Sequence, residues 1–105
     1  MRVSLASGAW LDHDAAWLSP TQGRPVATLS VHQGEGQPWR PLFERVEAIF
    51  REHGGRPHWG KWHSLAAPAL APLYPRLREF AALCRREDPD GLWRNAWLAS
   101  LLPAG

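Results

Sequence analysis

Gly54-Gly55-Arg56-Pro57-His58-Trp59-Gly60-Lys61-Trp62-His63 is the densest cluster of reactive side chains in this 105-residue chain. Two imidazoles, an ammonium, a guanidinium and two indoles fall within ten residues. Glycines and a proline surround them, which specifies a fixed loop rather than a helix or a strand. Loops held between packed elements are where binding and catalytic groups concentrate. The competing reading of the same residues is a basic surface loop anchored by its two tryptophans. One strand and a helix precede the loop and helices follow it, so its placement divides the chain and makes the expected fold α+β.

Upstream, Val26 to Gln33 has the clearest strand pattern. Thr28, Ser30 and His32 fall on one face, and Ala27, Leu29 and Val31 on the other. One face is expected to pack on helices and the other to look into a polar space. That makes His32 a candidate substrate contact, with a partly buried, hydrogen-bonded histidine as the competing reading. Pro38 suits the first turn of a helix, where its missing N–H is no loss. Trp39, Leu42, Phe43, Val46, Ile49 and Phe50 then follow helical spacing, with Arg40, Glu44, Arg45, Glu47, Arg51 and Glu52 on the remaining surface. Glu47 and Arg51 stand four apart, as an exposed ion pair would. Gly54 or Gly55 supplies the left-handed stop. Nearer the start, the alternation of Val3, Leu5, Ser7 and Ala9 predicts a short edge strand. Asp12-His13-Asp14 matches no metal template and reads as a solvated turn.

Downstream, 66–74 predicts one short helical turn punctuated by Pro68 and Pro72. A helix over about 75–86 would bury Leu77, Phe80, Ala81 and Cys84. Asp88-Pro89-Asp90-Gly91 is a turn signal. A last short helix over 94–102 would place Trp93, Trp97, Leu98 and Leu101 on one side.

Net charge is only +2 and the basic balance is almost entirely arginine, so nothing calls for nucleic acid as a partner. Seven tryptophans in so short a chain imply large apolar faces meant for packing against something further. The lone Cys84 excludes an internal disulfide. His53, His58 and His63 recur every five residues without an interposed carboxylate, whereas helical zinc sites use a spacing of four, so no metal site is expected. Ser19 and Ser64 lack the context of a nucleophile elbow. No signal peptide or membrane span is visible, and a cytoplasmic protein is the expectation.

Arg56-Pro57-His58-Trp59-Gly60-Lys61 resembles the HWxK-type motif near the C-terminus of the sugar-lactone and alditol oxidases, the FAD-dependent D-arabinono-1,4-lactone oxidase family. Trp17-Leu18-Ser19-Pro20, Val31-His32-Gln33, Leu73-Tyr74-Pro75-Arg76 and Asp88-Pro89-Asp90-Gly91 followed by Asn95 fit in the same order. The resemblance runs from about Asp14 to Leu102. It implies that 14–105 is the C-terminal portion of a substrate (cap) domain, with one or two strands and three or four short helices, and leaves 1–13 unassigned. It also implies oxidation of a sugar-lactone or polyol hydroxyl, hydride transfer to FAD and oxygen as acceptor. Lys61 would stabilise charge at the reacting hydroxyl, His58 would stand beside it, and Asn95 would contact the cofactor. Peripheral membrane association is a further implication.

Two departures from the family pattern stand out. The N-terminal FAD-binding domain of family enzymes has no counterpart in this sequence. The family's Glu-x-Arg pair, counted back from Trp17, falls near Ser7 and Ala9. Three readings follow: a subunit completed by a separate FAD-domain chain, a non-catalytic remnant, or a small Trp/Arg-rich binding module. Core-like spacing of the aromatics makes the last the weakest.

Overall fold

Val3–Leu11 (β1) and Val26–Gln33 (β2) form an antiparallel pair in the computed structural model, which describes residues 3–105 and side chains from Gly8 onward. The register runs from Val3 opposite Gln33 to Leu11 opposite Val26, with a bulge between Ala6 and Gly8. Strand β1 is an edge of this two-stranded sheet, as expected, but at nine residues against eight in its partner it is not short. The alternation expected over Arg2 to Ser7 falls on side chains outside the described residues. Along β2, partial burial falls at Val26, Thr28, Val31 and Gln33, so the pattern changes phase between Leu29 and Ser30, opposite the bulge. A bulge sharpens local twist and re-aims side chains, which accounts for the shift. Apolar Trp10, Leu11 and Leu29 stay open on this two-stranded sheet.

Helix α1 spans Arg40–Glu52. Pro41, not Pro38, takes the first-turn position, and Pro38 lies in the preceding segment. Either proline satisfies the rule; the later one wins because the chain is still turning at Gln37, whose N–H bonds to Gly34 O. The helix ends as expected. Gly54 adopts φ 65°, and the N–H groups of Gly54 and Gly55 bond back to Arg51 and Phe50 carbonyls. A methyl group at Gly55 would lie 2.8 Å from Phe50 O, so both glycines are required for the exit into the loop. Glu47 does not pair with Arg51. Its carboxylate instead accepts hydrogen bonds from Ser64 N, at 2.8 Å, and from Ser64 Oγ. A backbone N–H with few other partners outcompetes an exposed arginine, and the contact ties the loop's far end to α1.

Three short helices follow: α2 at Ala67–Leu70, α3 at Leu77–Glu87 and α4 at Ala96–Leu101. Leu65, Leu70, Tyr74, Leu77 and Leu101 form the buried core, with Leu18, Trp59, Leu73 and Leu102 packed around it. The core therefore lies behind the 54–63 loop, and α2 packs on α4. Leu77 and Ala81 of α3 are buried as the spacing predicts, whereas Phe80 and Cys84 of the same expected stripe are only half-buried. In α4 only Leu101 is fully buried; Trp93 precedes the helix and is exposed.

Two antiparallel strands and four helices make an α+β fold, as the sequence predicts. On α1 Leu42 is buried, Phe43, Val46 and Phe50 are half-buried and Ile49 is exposed, and Pro41, Leu42, Arg45, Val46 and Ile49 line a concavity of about 270 Å³. The radius of gyration, 15.5 Å, exceeds the roughly 13 Å of a compact chain of this length. Among the described residues no helix is long and apolar enough to cross a membrane.

Candidate functional site

Three separated segments meet around the 54–63 loop. The first is the turn after β1. Asp14 accepts from Ser19 Oγ at 2.6 Å, Thr21 Oγ1 at 2.8 Å and Ala16 N at 2.9 Å. Thr21 is buried by this network. The turn is exposed at Asp12, His13 and Asp14, as expected, and is in addition organised by a single carboxylate. The Ser19 hydroxyl first, then that of Thr21, hold the Asp14 carboxyl below its ordinary value of 3.8, against a slight desolvation. A depressed native pKa gives stability that is present above the ordinary value and lost as pH falls through the lowered one. The turn is accordingly expected to persist through pH 3.8 and open only below it. The Thr21 and Ser19 amide shifts followed against pH check this, and a midpoint at or above the ordinary value would contradict it.

The second segment is Leu73-Tyr74-Pro75-Arg76. Arg76 stacks its guanidinium 4.4 Å from the Trp17 ring centroid while bonding Glu79 at 2.7 and 2.6 Å. Tyr74 is buried and donates to Pro57 O at 3.4 Å. Burial raises its hydroxyl pKa. The Trp59 indole and the Arg56 guanidinium oppose that rise, although the Trp59 N–H makes no well-aligned hydrogen bond.

Arg56, in the loop itself, joins the other two. Its Nε donates to Leu73 O at 2.8 Å, and one Nη donates to Gln22 O at 2.8 Å, Pro20 O at 3.1 Å and Ser19 O at 3.4 Å. The guanidinium also lies 5.3 Å from the Tyr74 ring centroid. Trp59 packs edge-on against Tyr74 at 5.8 Å and Trp97 at 6.5 Å. The loop is thus pinned on both sides of His58.

Between those pins, His58 to Lys61 forms a tight turn closed by Lys61 N to His58 O at 3.0 Å. Gly60 N donates to His58 Nδ1 at 3.0 Å. With Nδ1 accepting, a neutral His58 carries its proton on Nε2. Both His58 and Lys61 are exposed. Lys61 is the only lysine in the chain and makes no ion pair among the described residues. The turn therefore presents an ammonium and an imidazole N–H outward from a rigid base. A methyl group at Gly60 would lie 3.1 Å from His58 Cε1. Gly60→Ala is expected to break the Gly60–His58 hydrogen bond while costing about 1 kcal/mol or less of stability, because the turn is exposed. The His58 Nδ1 nitrogen shift reports the first and thermal melting the second.

His58 and Lys61 are brought together. His32 stands exposed on β2, and Asn95 caps α4 by accepting from Leu98 N at 2.8 Å. Among the described residues no hydrogen bond links either to the turn. The cap occupies Asn95 Oδ1 and leaves its amide nitrogen available. Asp14 and Arg56 are the residues that sequence reasoning undervalued. The one usable signal was an arginine inside a Gly/Pro loop, where an acceptor-rich backbone awaits a donor. His63 has both ring nitrogens buried without a hydrogen-bond partner. Among the described residues no three His, Cys, Asp or Glu side chains are grouped to hold a metal.

Comparison with known proteins gives this geometry a context. The sequence profile of the D-arabinono-1,4-lactone oxidase family matches residues 2–101. An L-gulono-1,4-lactone dehydrogenase of Mycobacterium tuberculosis is 38% identical over 89 residues, covering 85% of this chain and 21% of the relative. An alditol oxidase of a Streptomyces species is 38% identical over 90 residues, covering 85% and 22% respectively. A long-chain alcohol oxidase from an uncultured marine euryarchaeote is 47% identical over 104 residues, covering 97% and 20%. The chain spans about a fifth of the length of these curated relatives.

Proposed function

Because the chain belongs to the D-arabinono-1,4-lactone oxidase family, we propose that it is the C-terminal piece of an FAD-dependent oxidoreductase. In this reading residues 14–105 are part of the substrate domain, and the substrate is a hydroxyl of a sugar lactone or polyol, with oxygen as acceptor. The observation that carries it is the turn bearing the chain's only lysine, exposed, without an ion pair among the described residues, and pinned from behind by Arg56 and Trp59.

The donors present suit such a site. Lys61 Nζ and His58 Nε2–H are cationic or polar donors without competing acceptors among the described residues, matched to a substrate oxygen that gains negative charge. FAD, when bound, supplies the two-electron acceptor. Lys61 stabilises the hydroxyl oxygen as its proton leaves, an interaction that strengthens as charge develops. His58 Nε2–H orients an acceptor oxygen beside it, while its Nδ1 stays committed to the turn. His32 would contact substrate from β2, and Asn95 would help hold the cofactor that supplies the two-electron acceptor. No metal or nucleic acid takes part. In this reading the protein is cytoplasmic, and resemblance to the family leaves room for peripheral membrane association.

In this reading FAD is held chiefly by an FAD-binding domain outside these residues, against which exposed apolar side chains such as Trp10, Leu29, Ile49, Leu92 and Trp93 are candidates to pack. Exposed apolar area of this kind marks a surface meant for a partner. The isolated 105-residue protein is therefore expected to bind a hydrophobic dye and to show no micromolar affinity for FAD in isothermal titration. Micromolar or tighter FAD binding by the chain alone would overturn the two-part reading. So would a cooperatively melting monomer indifferent to the dye.

A further inference from the structure

We infer that Arg56 is a positioning residue that sets where the His58–Lys61 turn stands. Its catalytic consequence rests on the reading of Lys61 above, but its geometry does not. Each donor of a guanidinium has a fixed direction, and here two directions are used at once: Nε toward Leu73 O, and one Nη toward the carbonyls of Ser19, Pro20 and Gln22. One planar group thus fixes the loop's entrance relative to two other segments. These segments are themselves rigid. Asp14 holds the turn through Thr21, and Leu73 and Tyr74 pack on the core.

Pro57 follows Arg56 with little backbone freedom, its carbonyl receives the Tyr74 hydroxyl, and the turn begins at the next residue. Displacement of Arg56 therefore passes into His58 through one stiff residue. On the far side, Trp59 is wedged between Tyr74 and Trp97. That wedge resists translation of the loop but leaves its tilt to Arg56. A lysine in place of Arg56 keeps the charge. Its single ammonium cannot occupy both the Nε and the Nη positions, so one segment is released.

The test uses the 105-residue protein, with Arg56→Lys as the variant and Arg78→Lys, on the exposed surface of α3, as the control. Isotopic labelling of lysine gives a single native-residue amide signal in wild type, because Lys61 is the only one; full labelling resolves it in the variants. In Arg56→Lys the Lys61 amide is expected to shift and Gly60 amide protection to fall about tenfold, as local opening becomes easier. Amides of Leu70, Leu77 and Leu101 should keep their wild-type values. A folded Arg56→Lys with Lys61 and Gly60 unchanged would overturn the inference. Should Arg56→Lys not fold, Arg56→Gln takes the same measurements, and if neither folds Arg56 serves stability alone and the inference fails.

A second readout separates positioning from bulk stability. In an assembly that turns over, Arg56→Lys is expected to lower kcat by about ten- to a hundredfold, the usual effect of a misplacement near 1 Å. The same substitution should have little further effect in a Lys61→Ala background. Equal losses in both backgrounds would show that Arg56 does not act through Lys61. Absence of turnover in the wild-type assembly would count against the proposed function, and the amide measurements would still decide the role of Arg56.

Discussion

Lys61→Ala, introduced into any flavin-bearing assembly that contains this chain and turns over, is expected to lower turnover by roughly a hundredfold or more while leaving assembly unchanged. The effect is differential. A neutral hydroxyl gains little from a nearby ammonium, whereas an oxygen losing its proton gains much, so the loss falls on kcat rather than on substrate binding. Structural costs should be small, because Lys61 is exposed and makes no ion pair among the described residues. Lys61→Arg should restore only part of the rate, since a planar guanidinium does not reproduce a compact ammonium. Arg78→Ala, on the exposed side of α3, is the control. Steady-state oxygen consumption by the four proteins decides the matter. Wild-type turnover in Lys61→Ala would make Lys61 an ordinary surface residue.

The largest expected effect on stability is that of Leu77→Ala. Leu77 is fully buried in the cluster with Leu65, Leu70, Tyr74 and Leu101. Removing such a side chain costs about 2–5 kcal/mol through lost transfer energy and a residual cavity. Small domains have only about 5–15 kcal/mol in total, and this one leaves much apolar surface open. Leu77→Ala should therefore be largely unfolded near body temperature, and the loop should lose its base, because Trp59 rests on the same core. Leu92→Ala is the matched control, since Leu92 is 80% exposed and should shift stability by no more than about 0.5 kcal/mol. Circular dichroism melts of both variants test the contrast. A folded Leu77→Ala with a near-wild-type midpoint would show that the core lies elsewhere.

Much of this architecture is legible in the sequence because periodicity and chain punctuation are local. The α1 stop at Gly54-Gly55, the strand at Val26–Gln33 and the buried stripe of α3 all follow from spacing and from glycine's access to positive φ. What escapes is long-range partner choice. Glu47 had a good local partner in Arg51 and took Ser64 instead. Asp14 is exposed as expected, but its role in ordering the turn escapes notice because its donors, Ser19 and Thr21, are recognised only once the chain folds back. Arg56 read as a loop cation, and its role emerges from carbonyls more than thirty residues earlier in the chain. The α1 face followed core spacing and is buried at Leu42 but exposed at Ile49, because spacing shows that a face wants burial without showing what buries it.

The site was legible to the same extent. The pairing of His58 with Lys61 on one turn follows from the Pro and Gly residues around them. His32 and Asn95 were chosen by strand alternation and by resemblance, and their relation to that turn depends on tertiary placement. Among the described contacts, Asn95 spends its carbonyl oxygen on a helix cap.

The proposed function stands or falls on whether this chain works in a flavin-dependent oxidation. The most direct measurement is the visible absorbance of the protein recovered with its partners from its own host, followed in the absence of oxygen as sugar lactones and polyols are added. Hydride transfer to FAD bleaches the flavin band whatever the later electron acceptor. The expected result is a yellow assembly containing this chain that bleaches with at least one such substrate and recovers its colour when oxygen is admitted. A colourless preparation, or a flavin band that no lactone or polyol bleaches, would contradict the account.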